Sequence, residues 1–146
     1  FAGVGYWTVC LAKHTRAAKI YAIDINPTAI AYLRKNLALN HVAGKVTVIE
    51  GDCRNTGLKG VADRIILGYL HKTEEFLPAA LRMAKPNATL HLHALLPEEK
   101  LGQYKEELAG IAESVGFRLA FRGVKRVKGY APGIDHYVLE LKARKA

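Results

Sequence analysis

The sequence predicts an α/β fold, a mostly parallel sheet covered on both faces that closes with a C-terminal antiparallel strand pair. Three observations carry this. Strand-like and helix-like segments alternate along the chain, with no repeat, low-complexity stretch or Ser/Pro-rich linker. A glycine-rich turn, Phe1-Ala-Gly-Val-Gly5, stands directly before a helical stretch. Near the end, two strand-like runs flank Gly129-Tyr-Ala-Pro-Gly133. A chain of 146 residues with 50% hydrophobic and 24% charged residues is not a disordered polymer. At this size one domain is expected, burying roughly 68–70% of its unfolded surface.

Taken in order, Trp7 to His14 reads as a helix and Lys19-Ile-Tyr-Ala-Ile-Asp24 as a short buried strand ending in a carboxylate. Asn26 is placed to cap a helix whose first turn holds Pro27, where a missing N–H costs nothing, and that helix runs to about Asn40. Lys45 to Glu50 is the next strand, followed by the polar turn Gly51-Asp-Cys-Arg54. Ala62 to Leu67 is a further strand, Thr73 with Glu74 and Glu75 starts a helix, and Ala88 to Ala94 is strand again. From Glu98 to Val115 apolar residues recur at spacings of three and four, and Gly116 ends the helix. Phe117 to Lys128 and Ile134 to Lys142 form the last pair, with a phase slip at Gly123 that reads as a bulge. A glycine-rich turn that opens a helix normally follows the first, central strand of such a sheet. That strand is expected before Phe1, outside the chain, and a first residue other than Met agrees with an upstream portion.

The 22 Lys and Arg against 13 Asp and Glu give a formal charge of +9, which favours a polyanion, an anionic membrane or an acidic ligand as partner. No apolar run approaches the ~18–20 residues that span a bilayer, and no signal peptide is recognisable, so the protein reads as cytoplasmic with no membrane partner. Cys10 and Cys53 share neither metal-ligand nor redox spacing; they are expected to be reduced, and no metal is expected.

Three loops follow strand ends on one expected sheet edge, where open α/β sheets bind ligands. Gly3 and Gly5 let backbone pass close to a ligand at a helix N-terminus, although a tight strand-to-helix turn needs the same residues. Asp24 is placed to accept two hydrogen bonds from a ribose diol, or to cap beside Asn26. Asp52 is placed to accept from an adenine amino group with the Cys53 backbone on the base edge, or to serve only the turn. Glycines, Asp24 and Asp52 in this order point jointly to an adenosine-containing ligand. A nicotinamide dinucleotide fits worst, because position 8 is Thr8 where its fingerprint needs a third glycine.

Phe1-Ala-Gly-Val-Gly5, Tyr21-Ala-Ile-Asp-Ile-Asn-Pro27, Asn36 to Asn40, Gly51-Asp-Cys-Arg54 and Lys128-Gly-Tyr-Ala-Pro132 resemble the archaeal and eukaryotic enzymes that modify the purine immediately 3′ of the tRNA anticodon. Two kinds of enzyme share this pattern, the guanosine-37 N1-methyltransferases and the aminocarboxypropyltransferases of wybutosine synthesis. The resemblance covers nearly the whole chain and implies a Rossmann-like class I methyltransferase sheet. It also implies S-adenosyl-L-methionine as cofactor, held by Phe1, Ala2, Gly3, Gly5, Asp24, Ile25, Asp52, Cys53 and Gly68, with tRNA, through its anticodon loop, as partner. After the fourth strand, methyl-transferring members carry Asn-Leu-Pro. Here Gly68-Tyr-Leu-His-Lys-Thr73 looks like the aminocarboxypropyl-transferring version. The implied reaction moves the 3-amino-3-carboxypropyl group to C7 of 4-demethylwyosine at position 37 of tRNA(Phe) and releases 5′-methylthioadenosine. The implied domain is the catalytic one of a longer enzyme, with its upstream tRNA-binding region absent from residues 1–146.

On this reading Tyr69 shapes the pocket, His71 takes the C7 proton or holds the base, and Lys72 and Arg54 face a carboxylate or phosphate. Arg118, Arg122, Lys125, Arg126 and Lys128 fall in an acid-free run and are expected to meet RNA phosphate, or else to form a solvated strand face. The alternatives are methyl transfer to guanosine-37 and a catalytically silent RNA-binding domain.

Overall fold

The computed structural model describes residues 1–146, which divide into two units, Phe1–Gly57 and Leu58–Ala146. In the first, a glycine turn leads into α1 (Tyr6–His14), followed by β1 (Ile20–Asp24), α2 (Pro27–Leu39) and β2 (Val46–Glu50). Asn26 caps α2 as predicted, its Oδ1 accepting from the N–H of Thr28 at 2.9 Å and of Ala29 at 3.3 Å, with Pro27 in the first turn. Ile30, Leu33 and Leu37 recur at helical spacing and are buried with Ala22 against Ala2, Val9, Val42, Val46 and Val48. β1 and β2 pair in parallel from Ile20↔Val46 to Asp24↔Glu50. Both strands therefore end at one level, which sets Asp24 and the loop after Glu50 on the same edge.

The second unit holds β3 (Ala62–Leu67), α3 (Leu77–Met83), β4 (Ala84–Leu96), α4 (Leu101–Ser114), β5 (Phe117–Ala131) and β6 (Ile134–Lys145). Its four-stranded sheet runs β3-β4-β6-β5, with β3 parallel to β4 and β6 antiparallel to both of its neighbours. Leu77 and Leu81 of α3, Leu108 of α4 and Leu90, Leu92, Leu139 and Leu141 of the sheet are fully buried, each contributing roughly 1.5–3 kcal/mol. Gly116 ends α4 at φ +79°. No helix is long and apolar enough to cross a membrane.

The last strands are longer than their sequence pattern. β5 continues through Gly129 to Ala131, so the expected five-residue loop is a tight Pro132-Gly133 turn between paired Ala131 and Ile134. Proline presets the first turn position and Gly133 takes the left-handed second at φ +71°. The predicted slip at Gly123 is present: Phe121 faces Leu141, Gly123 faces Glu140, and Arg122 is the extra residue. Two more slips follow, at Val127 and Tyr130. Each extra residue shifts the in/out alternation, and every residue from 122 to 133 is exposed. Between β4 and β6, His93 Nδ1 lies 2.9 Å from His136 Nε2, a pair the sequence pattern does not reveal.

Candidate functional site

Asp24 joins three loops of the first unit. Its Oδ2 accepts from the Gly3 N–H at 2.7 Å, its Oδ1 from the Asn26 N–H at 2.9 Å, and its backbone carbonyl from the Gly51 N–H at 2.9 Å. The preceding carbonyl, Ile23, accepts from the Ala2 N–H at 3.0 Å. One residue thus aligns the glycine turn, the start of α2 and the loop after β2. A carboxylate oxygen has two lone pairs, so each oxygen retains acceptor capacity for a diol. The turn-ordering role of Asp24 is present in the structure.

Gly3 and Gly5 adopt φ +56° and +102°. A Cβ on Gly5 would lie 2.7 Å from Leu33 Cδ1, whereas one on Gly3 would meet nothing within 4 Å. Gly5 is thus required by packing onto α2, and Gly3 leaves open space beside the backbone. Asn36 Nδ2 donates to the Val4 carbonyl at 2.8 Å and ties the turn to the same helix. Its role is legible afterwards: Asn36 lies three residues beyond Leu33, on the same helix face. Ile25, next to Asp24, is 67% exposed, an apolar side chain open to solvent.

Asp52 and Arg54 are brought together more closely than expected. Asp52 Oδ1 accepts from the Arg54 backbone N–H at 2.8 Å, and the guanidinium approaches the carboxylate at 3.0 Å through Nε and 2.5 Å through Nη2. This hydrogen bonding holds the Asp52 carboxyl below its ordinary range. Arg54 therefore acts first on Asp52. Burial pushes the Cys53 thiol up, so it stays protonated while its backbone flanks the loop.

In the second unit the loop after β3 is built differently. Following Gly68, Leu70 and Lys72 adopt φ +73° and +49°, conformations that side-chain-bearing residues rarely take. Thr73 is fully buried and its Oγ1 has no hydrogen-bond partner. Tyr69 packs edge-on to Phe76 at 5.4 Å and lies 6.5 Å from His71, whose ring lies 6.0 Å from Tyr130. His71 and Lys72 are exposed, and Lys72 Nζ sits 3.5 Å from Glu75 Oε1. Glu74 accepts from the Tyr104 hydroxyl at 3.0 Å, an anchor to α4 absent from the sequence reading. Burial and Glu74 push the Tyr104 phenol far above its ordinary range.

Arg118, Arg122, Lys125 and Lys128 are exposed on β5, the edge strand. Arg126 differs: its Nε and Nη2 donate to Asp135 at 2.6 and 2.7 Å. The acid-free run receives its counter-charge from β6, so Arg126 is less available for phosphate than its neighbours. Charges on an edge strand also oppose pairing with a second sheet.

The parallel pair with its glycine turn and strand-end carboxylate, and the four-stranded sheet closed by an antiparallel pair, are features of class I methyltransferase-like proteins. Residues 1–119 match the TRM5/TYW2 methyltransferase domain, and the chain belongs to that family. It is 39% identical over 143 residues to the tRNA(Phe) (4-demethylwyosine(37)-C(7)) aminocarboxypropyltransferase of Methanocaldococcus jannaschii, covering 97% of this chain and 57% of the relative. It is 35% identical over 133 residues to the tRNA (guanine(37)-N(1))-methyltransferase Trm5b of Pyrococcus abyssi, covering 90% and 39%. The crystal structure of M. jannaschii TYW2 in complex with AdoMet superimposes with a TM-score of 0.95 at 39% identity, over 100% of this chain and 67% of that one. The chain thus spans about half the length of the curated relatives it matches.

Proposed function

We propose that residues 1–146 are the catalytic domain of a cytoplasmic enzyme that transfers the 3-amino-3-carboxypropyl group of S-adenosyl-L-methionine to C7 of 4-demethylwyosine at position 37 of tRNA(Phe), releasing 5′-methylthioadenosine. One observation carries the choice of group. The run Gly68-Tyr-Leu-His-Lys-Thr73 resembles the aminocarboxypropyl-transferring version of this loop, in a chain 39% identical to an aminocarboxypropyltransferase.

The residues fit the cofactor. Asp24 offers lone pairs from an already oriented carboxylate, Gly3 and Gly5 present backbone without side chains, and Ile25 is an exposed apolar neighbour. Phe1, Ala2, Asp52 and Cys53 complete the proposed set in the first unit. When bound, S-adenosylmethionine supplies a sulfonium-activated Cγ, which bonds to C7 as the S–Cγ pair returns to sulfur. The chain's task is to position and to take the C7 proton. Tyr69 walls the reacting group, and His71, exposed on the loop, holds the base or accepts that proton. Lys72 presents an ammonium to the carboxylate of the transferred group. Arg118, Arg122, Lys125 and Lys128 meet tRNA phosphate, with Arg54 and Arg126 held first by their acids.

A second reading, N1-methylation of guanosine-37, is favoured by the 35% identity to Trm5b. Incubating the full-length protein with tRNA and cofactor labelled on either the methyl or the carboxyl carbon separates them. Carboxyl label in RNA is expected. Methyl label overturns the proposal in favour of the second reading, and neither label leaves a non-catalytic RNA-binding domain.

A further inference from the structure

Tyr130 lies far along the chain from His71, yet their rings meet at 6.0 Å and an interplanar angle of 76°. The backbone explains how. Gly129 faces Asp135 and Ala131 faces Ile134, so Tyr130 is the extra residue of a β-bulge one step before the Pro132-Gly133 turn. A bulge re-aims the side chain it carries. Here the ring reaches the loop after β3 and extends a run of aromatic contacts, Phe76 to Tyr69 to His71 to Tyr130.

This run is costly to present to water. Tyr130 is 52% exposed and Tyr69 45% exposed, and the loop beneath them carries Leu70 and Lys72 at positive φ. An edge-to-face contact uses only part of each ring, so ring surface remains open. The charges alongside are positive on balance: Lys128, two residues before Tyr130, is exposed, and Lys72, next to His71, is exposed and paired with Glu75. The nearby acids have partners, Asp135 in Arg126, Glu75 in Lys72 and Glu74 in the Tyr104 hydroxyl. Open aromatic faces between lysines are the chemistry that takes unstacked bases of single-stranded RNA.

We propose that Tyr130, set by its bulge beside His71, is a positioning residue that stacks on a purine-type base of the RNA substrate. This rests on the tRNA reading above and adds a contact to the loop assigned there.

The test uses the full-length protein and an anticodon stem-loop RNA carrying 2-aminopurine immediately 3′ of the anticodon, whose fluorescence is quenched on stacking. Wild type is expected to quench it. Tyr130→Leu, which keeps apolar bulk without a π-face, should lose the quench and bind roughly 10-fold or more weakly, within the range of one lost stacking contact. Tyr130→Phe should restore both. Unchanged S-adenosylmethionine affinity of Tyr130→Leu by calorimetry certifies its fold; if it does not fold, Tyr130→Asn takes its place. Quench and affinity equal to wild type in the leucine or asparagine variant overturn the stacking role. A wild-type quench without transfer of either label would instead sink the proposed chemistry and leave the stacking role standing. Absence of RNA binding by wild type would overturn both.

Discussion

The glycine turn of the first unit, tied to the end of β1 through Asp24, and the loop after β3 in the second solve the same problem, fixing a backbone beside a strand end, by opposite means. In the first, positive φ falls on glycines, and the polar groups find partners: Gly3 and Asn26 donate to Asp24, Asn36 to Val4. In the second, positive φ falls on Leu70 and Lys72, Thr73 Oγ1 is orphaned, and aromatic rings supply the contacts. A turn of the first kind is relaxed and suits binding a constant group such as a cofactor. A loop of the second kind stores strain, which surrounding packing must hold, and suits a site where chemistry is chosen.

The largest effect that could break this contrast is at Asp24. Asp24→Ala leaves the Gly3 and Asn26 N–H groups without their acceptor and removes the proposed diol contact. With charged hydrogen bonds worth ~1.5–3 kcal/mol each, S-adenosylmethionine affinity should fall by on the order of 100-fold or more, measured by calorimetry. A change below about tenfold would show that the node does not organise the turn.

Next is Gly5→Ala. The added Cβ meets Leu33 Cδ1 at 2.7 Å at a φ of +102°, and Leu33 is fully buried in the cluster with Ala22, Ile30 and Leu37, so moving it disturbs that packing. Overpacking and backbone strain together should cost about 2–4 kcal/mol in denaturant unfolding. Gly3→Ala, with φ +56° but open space, should cost about 1 kcal/mol. Equal losses would mean that packing onto α2 does not set the turn.

These features differ in how far they can be read from the chain. Asn26-Pro27, the spacing of Ile30, Leu33 and Leu37, and a carboxylate ending β1 are local signals, and the elements they predict are present. Within the first unit Asp24 and Gly3 are brought together, the Gly3 N–H donating to the Asp24 carboxylate. What escaped depends on the register between paired strands. The bulges at Val127 and Tyr130, the Arg126–Asp135 ion pair and the His93–His136 contact are set by the register of β5 and β4 on β6, which no window of sequence encodes. The Pro132-Gly133 turn was visible as residues, but its tightness depends on the same register.

The histidine pair gives the third prediction. Burial, then His136 and then His91, hold His93 down at about 4. Unfolded, its proton binds near the ordinary value of ~6.5. The unfolded state therefore takes up a proton that the folded state refuses as pH falls, so this contribution is full above about 6.5 and lost progressively toward 4. Allowing for screening, it amounts to about 1–2 kcal/mol. His91, itself lowered by burial and by Arg64 against the pull of Glu140, acts in the same direction. His93→Phe should flatten the fall in unfolding midpoint between pH 6.5 and 4, and a slope identical to wild type would refute the assignment.

The smallest stability effect separates strain from function most sharply. Lys72 is exposed, sits at φ +49°, and its 3.5 Å pair with Glu75 is a surface contact of little value. Lys72→Gly removes the steric penalty at that φ while giving the unfolded chain more freedom, so the two effects nearly offset and stability should stay level or rise by up to about 1 kcal/mol. Transfer of the labelled group should nevertheless fall, because the ammonium proposed to meet the group's carboxylate is gone. A level or stabilised variant with reduced turnover is what a strained functional loop gives. A variant that loses stability and keeps its turnover would mean that Lys72 serves the fold alone, and that the two loops differ in geometry but not in purpose.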